Sequence, residues 1–212
     1  MSRIRNVAIF VPSRVMDDTR KCMVKSEACE SPALPELSMS ETIKLHVVCG
    51  PPAGGKTCYA KKLASRLGAL LIDSDIATEP VVQAGMEAAG LSADDRDSDR
   101  YKELFRDPVY ESLFRLAAVN LVNLPVVLAA PFTRESQEKD WPGRLYERFM
   151  VPVEVYFVTC RPEVRFERMR SRGEARDAAK LNNWSSHSES VASAPPPFDH
   201  VLVETSSENQ GE

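Results

Sequence analysis

The chain has 212 residues, 43% of them hydrophobic, and a formal net charge of −4. This length suits one domain with a substantial core rather than two large domains. The acidic total does not indicate a nucleic-acid-binding or membrane-surface protein, so any attraction to phosphate must be local. No apolar run reaches the roughly 20 residues that span a bilayer, and the amino-terminal apolar run is shorter than that of a signal peptide. We therefore expect a soluble cytoplasmic protein with neither a membrane nor a nucleic-acid partner.

The first 42 residues differ from the rest of the chain. Residues 1–42 combine mixed charge with three prolines and show no sustained periodicity, so we expect a poorly ordered amino-terminal extension. Met39 precedes the first convincing strand, and we expect that translation naturally starts there, which mass spectrometry of the native amino terminus tests. The acidic end, 205–212, is expected to be a disordered tail. Residues 43–204 are then the predicted folded domain.

Apolar runs and helical patterns alternate through this domain. Short apolar runs bounded by glycine, proline or charged residues predict buried strands, and apolar residues recurring at helical spacing predict helices between them. Strands that alternate with helices favour an α/β fold with a parallel sheet covered on both faces. The predicted strands include 47–49, 69–73, 125–131, 151–160 and 200–203; helices are expected at 56–67, over most of 78–123 and from Pro162 to just before Gly173, with a loop at 185–197.

Five cysteines occur without any C-x-x-C pairing. An odd number without metal-ligand spacing argues against a disulfide framework and a zinc site. Cys49 and Cys160 each end a hydrophobic run, so we expect buried core thiols.

The segment 50–57 reads GPPAGGKT and matches G-x-x-x-x-G-K-[ST] in full. Glycines let successive backbone N–H groups converge on phosphate oxygens, and the helix that begins near Lys56 adds its positive amino-terminal end. Lys56 then reaches the β- and γ-phosphates, and Thr57 supplies a hydroxyl to Mg²⁺. The motif follows a buried strand and precedes an amphipathic helix, so we predict a site for a nucleoside triphosphate and Mg²⁺, with the choice between ATP and GTP left open. The predicted nucleotide-binding residues are Gly50, Pro51, Pro52, Ala53, Gly54, Gly55, Lys56, Thr57 and Cys58.

The positions of acidic residues distinguish the possible reactions. P-loop motors and switches normally end a hydrophobic strand in an acid that binds Mg²⁺, but the third strand here ends PVVLAAPF. The acids follow the second strand instead, as LLIDSD. One carboxylate can hold the Mg²⁺ shell while the other accepts a proton from an attacking hydroxyl. We predict Asp73 near Mg²⁺ with Thr57, and Asp75 as the base or the ligand of the substrate hydroxyl. The reverse assignment, and a capping role for Asp75 at Ile76, remain open.

A basic segment follows the fourth strand. A strip of arginines along one helix face would neutralise charge that develops on a transferred phosphoryl group. Arg168 and Arg172, the nearest to Gly173, are the predicted catalytic members. A solvated helix face paired with nearby glutamates is the alternative. The members of this strip are separated by 4, 3 and 4 residues and are Arg161, Arg165, Arg168 and Arg172.

The acceptor is expected in the crevice beyond the carboxyl ends of the strands. Arg134, just after the third strand, either grips an anionic acceptor or lies on the surface of its loop. The helical segment 76–112 is expected to form the acceptor wall, with Tyr101, Phe105 and Tyr110 as core or wall aromatics.

Four stretches, GPPAGGKT, LLIDSD, AAPFTRE and CRPEVRFERMRSRG, resemble P-loop kinases often named "AAA family ATPase" or zeta-toxin-like AAA domain. The resemblance covers roughly 44–204. It implies a three-layer α/β/α P-loop NTPase fold, a five-stranded parallel sheet in the order 2-3-1-4-5, and a lid at about 161–197. It also implies phosphate and Mg²⁺ roles for Lys56 and Thr57, a substrate-side role for Asp73 and Asp75, and a lid role for Arg168 and Arg172. The family includes small-molecule phosphotransferases and polynucleotide 5′-hydroxyl kinases, so the resemblance does not name the acceptor.

These features together predict a kinase that uses ATP and Mg²⁺ to phosphorylate a hydroxyl of a small molecule. A polynucleotide 5′-hydroxyl kinase is an alternative, although it would require a basic groove. A regulatory protein that hydrolyses ATP slowly is another, although the third strand lacks the acid that would activate water.

Overall fold

The computed structural model describes residues 43–96, 98–188 and 194–206. The predicted amino-terminal extension, including Met39, and residues 207–212 of the predicted tail lie outside these ranges. No helix within the described ranges is both long enough and apolar enough to cross a bilayer.

Five parallel strands form one sheet in the order β2-β3-β1-β4-β5. This confirms the predicted fold class and strand order. In the register, Leu45 lies opposite both Val126 and Val153, so β1 occupies the centre of the sheet. The strands are β1 (Leu45–Cys49), β2 (Leu70–Asp73), β3 (Val126–Ala129), β4 (Val153–Thr159) and β5 (Val201–Glu204).

Helices and single helical turns connect the strands. The segment after β2 contains a short π-helix, Lys102–Arg106, between two α-helices. The α-helices are α1 (Lys56–Leu67), α2 (Ser74–Ala88), α3 (Asp99–Tyr101), α4 (Asp107–Asn120), α5 (Trp141–Phe149), α6 (Pro162–Arg172), α7 (Ala178–Asn182) and α8 (Trp184–Ser188), and the 3₁₀ turns are Glu135–Gln137 and Ala175–Asp177.

Three helices, α5, α7 and α8, differ from the sequence prediction. α5 was not predicted, although Trp141 and Leu145 give it a buried face at helical spacing. α8 occupies the beginning of the segment predicted as a loop. Its serine-rich sequence has no apolar period, but Trp184 packs edge-on against Phe166 at 5.3 Å between ring centroids. The feature associated with this helix is therefore a tertiary contact and not a periodic pattern in its sequence.

The core lies on both faces of the sheet. Side chains of successive strand residues point to opposite faces, so Val47 belongs to the cluster that includes α4 and α5. Val48 belongs to the cluster on the other face, which includes Ala60 and Leu63 of α1. The central strands are fully buried, as expected for a parallel sheet covered on both sides. This arrangement brings the loops after β1, β2, β3 and β4 to one edge.

Candidate functional site

The glycine-rich loop lies directly against the backbone of β4. Gly50 has φ +135°, and a Cβ there would stand 2.2 Å from the carbonyl oxygen of Val158. A Cβ on Gly54 would stand 2.8 Å from the same oxygen. Real Cβ atoms do not approach that closely, so both positions require glycine because of the protein's own backbone. The loop therefore has its shape before any phosphate binds.

Lys56 begins α1 and turns back towards the loop that precedes it. Its Nζ donates to the carbonyl oxygen of Pro51 at 2.9 Å. Burial lowers the pKa of Lys56 to about 8, an effect that the nearby Asp75, Cys49 and Asp73 oppose. A phosphate bound nearby would stabilise the charged form of this amine, so the position of Lys56 suits an anionic ligand.

Thr57 and Asp73 form the link between the loop and β2. Thr57 Oγ1 donates to Asp73 Oδ2 at 2.8 Å. Asp73 Oδ1 accepts from the backbone N–H groups of Asp75 at 3.0 Å and Ile76 at 3.3 Å. Asp73 therefore caps α2, the role that sequence reasoning left open for Asp75. The cap also fixes the carboxylate that faces Thr57.

The Thr57–Asp73 pair fits a magnesium ion. A hydroxyl and a carboxylate are hard oxygen ligands, and Mg²⁺ usually takes one or two of these together with substrate phosphates and waters. Within the described ranges, no group of three or more His, Cys, Asp or Glu side chains could hold a metal.

Asp75 lies in the first turn of α2 and faces the cleft. Its side chain is 58% exposed, and Oδ2 is 3.3 Å from Nη2 of Arg176. Arg176 also approaches Glu79 at 3.6 Å. Sequence reasoning did not select Arg176, although it lies three residues after Gly173 in the same basic segment. The structure thus connects the segment after α6 to the acids after β2.

The four arginines of the predicted strip do not share one role. Arg165 is only 2% exposed and lies over the ring of Trp184 at 5.4 Å, so it belongs to the packing of α8. Arg168 and Arg172 line the cleft, whereas Arg161 precedes α6 and does not. The prediction of one continuous strip is therefore wrong because the structure buries its second member.

Arg168 is bound to the protein itself. Its Nη1 donates to Thr205 Oγ1 at 2.9 Å and to the carbonyl oxygen of Ala53 at 3.4 Å, and its Nη2 donates to the carbonyl oxygen of Thr205 at 2.8 Å. Thr205 Oγ1 in turn donates to the carbonyl oxygen of Gly54 at 2.9 Å. These bonds connect the carbonyl oxygens of the glycine-rich loop to Arg168 and Thr205, so Arg168 is a positioning residue in this structure.

Thr205 is a residue that sequence reasoning missed. It was assigned to the carboxyl-terminal tail, yet it is 2% exposed and its N–H donates to the carbonyl oxygen of Thr159 at 2.9 Å. Thr205 therefore belongs to the packed domain. No local signal marks it, since its partners lie far away along the chain.

Arg134 does not reach the cleft. Its side chain is 61% exposed and lies near Asp107 at 3.7 Å, Glu135 at 3.3 Å and Glu138 at 4.0 Å. It borders a separate depression against α4 and α5. The surface alternative for Arg134 therefore agrees with the structure, and the prediction of an acceptor-binding role does not.

Cysteines surround the glycine-rich loop in two environments. Cys49 and Cys160 are buried, which confirms the prediction for both. Burial raises the pKa of Cys49 to about 12 and also raises the pKa of Cys160. Cys58 is exposed and lines the cleft.

The glycine-rich loop, Asp73, Asp75, Arg168, Arg172 and Arg176 line one cleft of about 480 Å³, within the range of small-molecule sites. Tyr101 and Tyr110 line it, as predicted for wall aromatics, and Phe105 stacks on Tyr101 from outside at 5.8 Å. The side chains that line the cleft from α2, from the segment up to α4 and from the loop after β3 form the acceptor wall: Thr78, Glu79, Val82, Arg96, Tyr101, Lys102, Arg106, Val109, Tyr110 and Thr133.

Comparison with known proteins identifies the family. The sequence profile of the family described as "AAA domain" matches residues 45–194. A Chloroflexus aurantiacus protein described as a "putative kinase" is 21% identical, with a TM-score of 0.59 over 81% of this chain and 93% of its own. A protein from Janibacter sp. described as a sugar kinase is 18% identical, with a TM-score of 0.50 over 77% of this chain and 86% of its own. A search of curated proteins finds no match. The two structures share the fold, and the profile match shows that this chain belongs to the AAA domain family.

Proposed function

We propose that this protein is a kinase that uses ATP and Mg²⁺ to phosphorylate a hydroxyl of a small molecule. The observation that carries the proposal is the position of Asp75. This exposed carboxylate is near Lys56 and lines the same cleft as the loop that would hold the donor phosphates and as the polar and aromatic side chains of the acceptor wall. A hydroxyl placed against that wall would meet both the carboxylate and the γ-phosphate.

The end of β3 supports transfer over hydrolysis. The residues that reach the cleft from β3 are Ala129, Ala130 and Pro131, where a water-activating P-loop ATPase would place an acid. Without that acid, water has no base at the usual position. Asp75, on the neighbouring β2 side, instead faces the space available to an acceptor.

The proposed reaction assigns a role to each group. The acceptor oxygen bonds to the γ-phosphorus, the bond from that phosphorus to the bridging oxygen breaks, ADP leaves and Asp75 takes the hydroxyl proton. Lys56 holds the β- and γ-phosphates, and Arg172 offsets charge on the transferred group. Thr57 and Asp73 would hold Mg²⁺, which when bound neutralises phosphate charge.

Two contacts support the arrangement of these groups. Arg172 donates through Nε to Asp177 at 2.5 Å, and both residues line the cleft. Arg176 contacts Asp75 and so orients the carboxylate proposed as the base. Arg168 acts indirectly through Ala53 and Thr205.

Transfer of labelled γ-phosphate tests the proposal. Purified protein with Mg²⁺ and γ-labelled ATP is offered pools of hydroxylated metabolites, antibiotics and 5′-hydroxyl oligonucleotides. We expect label on a small molecule. Label that appears only as inorganic phosphate, at the same rate with and without acceptors, would instead support the slow ATPase. Label confined to the oligonucleotide would support a polynucleotide kinase.

A further inference from the structure

Two arginines on the acceptor wall have the same surroundings. Arg96 donates through Nη2 to Glu79 Oε1 at 2.7 Å, and its guanidinium lies 5.4 Å from the centre of the Tyr101 ring. Its side chain is 10% exposed, although the residue lines the cleft. We call Arg96, Tyr101 and Glu79 the first arginine clamp.

The second arginine clamp consists of Arg106, Tyr110 and Glu135. Arg106 donates through Nη2 to Glu135 Oε2 at 2.7 Å, and its guanidinium also lies 5.4 Å from the centre of a tyrosine ring, that of Tyr110. Its side chain is 18% exposed. Arg106 ends the π-helix, a helix type found frequently at functional sites. Each clamp thus fixes a guanidinium by one glutamate and one ring.

Both clamps leave hydrogen-bonding capacity unused. The Nε atoms of Arg96 and Arg106 are buried and have no hydrogen-bond partner in the described part of the chain. A buried donor without a partner is unfavourable, more so on a charged group. The guanidinium fork is shaped for a carboxylate or phosphate, which accepts two parallel N–H bonds. Each glutamate bonds to one nitrogen of a group that offers five donors.

The charge of the cleft favours the same class of ligand. Among the described residues that line it, eight are basic and four are acidic, although the whole chain has a net charge of −4. Lys56, Arg168, Arg172, Arg176 and Lys180 lie on the donor side or in the segment after α6. Arg96, Lys102 and Arg106 instead come from the segment between α2 and α4. Three of the eight basic side chains therefore belong to the acceptor wall.

We propose that the acceptor carries an oxyanion, either a carboxylate or a phosphate, which the two arginine clamps hold while its hydroxyl faces Asp75. This proposal rests on the proposed kinase function, whose acceptor it specifies as a small hydroxylated anion. Rigid guanidiniums suit this task because little side-chain freedom remains to be lost on binding. The clamps position the acceptor, and the donor loop is unaffected by them.

A binding experiment tests the anion site without requiring turnover. A non-hydrolysable ATP analogue with Mg²⁺ saturates the donor loop, and inorganic phosphate or malonate is then titrated by calorimetry. We expect Arg96→Gln and Arg106→Gln each to weaken binding of the preferred anion by about 10- to 100-fold, the worth of a charge-assisted hydrogen bond. The two anions distinguish a phosphate-binding from a carboxylate-binding wall.

Arg100→Gln is the matched control. Arg100 belongs to the same segment, but its side chain is 58% exposed, pairs with Glu103 and does not line the cleft. The Arg100→Gln variant should bind the anion with the same affinity as the wild type. If either glutamine variant loses its thermal unfolding transition, Arg96→Lys and Arg106→Lys replace it, because lysine keeps the charge and removes the fork. The proposal is overturned if the saturated wild type binds neither anion, or if the clamp variants bind as tightly as Arg100→Gln.

A kinetic experiment uses acceptors that differ only in charge. Gluconate is compared with sorbitol, and glycerol 3-phosphate with glycerol, together with any acceptor that gains label in the transfer pools. We expect a higher kcat/KM for the anionic member, and loss of that preference in Arg96→Gln through KM for the acceptor, with KM for ATP unchanged. Equal use of neutral and anionic members would overturn the proposal.

The two experiments separate this inference from the proposed function. If no acceptor gains label but the clamps bind anions, the kinase function fails and the anion site stands. If label is transferred to neutral acceptors and the clamps bind no anion, the kinase function stands and the inference fails. Label on the oligonucleotide alone contradicts a small acceptor.

Discussion

The donor loop and the acceptor wall are built in opposite ways. The donor loop consists of consecutive residues, 50–57, whose shape depends on close backbone contact with β4. The acceptor wall collects side chains from α2, the segment between α2 and α3, α3, the π-helix, α4 and the loop after β3. Ion pairs such as Arg96–Glu79 join some of them. Backbone recognition needs a particular local sequence, whereas a wall of side chains can change without altering the fold. A sequence motif therefore predicts the ligand of the donor loop, whereas no motif predicts the ligand of the acceptor wall.

The largest effect should come from breaking the donor loop. Lys56→Ala removes the ammonium proposed to hold the β- and γ-phosphates, so transfer should fall below detection with every acceptor, neutral or anionic. The measurement is γ-phosphate transfer at saturating acceptor, with Arg100→Gln as the control that should retain activity. Transfer that persists in Lys56→Ala with any acceptor would show that the loop does not control the donor.

Asp75→Asn acts at the boundary between the two regions. It should slow transfer by about 10² to 10⁴, the usual contribution of a general base, and leave the affinity for an ATP analogue close to that of the wild type. Single-turnover transfer and a binding titration measure the two quantities separately. Asp99→Asn, an exposed acid outside the cleft, is the control. If Asp75→Asn transfers at the wild-type rate, Asp75 is not the base.

Thr205→Val tests the support behind the donor loop. The change removes the hydroxyl that donates to the carbonyl oxygen of Gly54 and accepts from Arg168, so two hydrogen bonds of this buried position are lost. We expect the free energy of unfolding to fall by about 1 to 3 kcal/mol, measured from urea denaturation curves. Thr205→Ser keeps the hydroxyl and should lose less. Equal stability of the valine variant and the wild type would mean that the loop does not depend on this contact.

The smallest effect should appear in the pH dependence of nucleotide binding. The pKa of Lys56 in the free protein is about 8, and phosphate oxygens would raise it by favouring the charged form. Binding then takes up a proton above pH 8, so affinity for the Mg²⁺-bound analogue should fall by up to about tenfold per pH unit above that value. Below pH 8 this lysine should contribute no slope.

Lys56→Arg supplies the control for the titration. Arginine stays protonated over the whole range, so the decline above pH 8 should disappear even if the absolute affinity changes. Calorimetric titrations between pH 7 and pH 9.5 measure both variants. A decline of the same size in Lys56→Arg would assign it to another group.

Prediction from the sequence was most successful where structure is local. The buried runs of β1 and β4 and the helix between Pro162 and Gly173 agree with the structure to within one or two residues at most ends, because apolar runs and helix-end residues act over short distances. The predicted strand order is also correct, but it came from the family resemblance and not from a pattern in the residues. α8 was missed because its helix accompanies the contact of Trp184 with Phe166.

The candidate site was predicted in part. Lys56, Thr57, Asp73, Asp75 and Arg172 do meet in one cleft. Arg134 was placed there because it follows β3, yet neighbouring acids hold it on the surface. Position after a strand brings a backbone to the correct edge of the sheet, but the charges nearby decide where a long flexible side chain points.

The sequence by itself determined the donor loop, the alternation of strands and helices, and the absence of an acid at the end of β3. Each depends on residues that are neighbours along the chain. Only the tertiary structure decided that Asp73 caps α2, that Thr205 supports Gly54, and that Arg96 and Arg106 form matching clamps. Those relations join residues distant in sequence or depend on side-chain direction, and the packing of the elements, rather than any local pattern, brings them together.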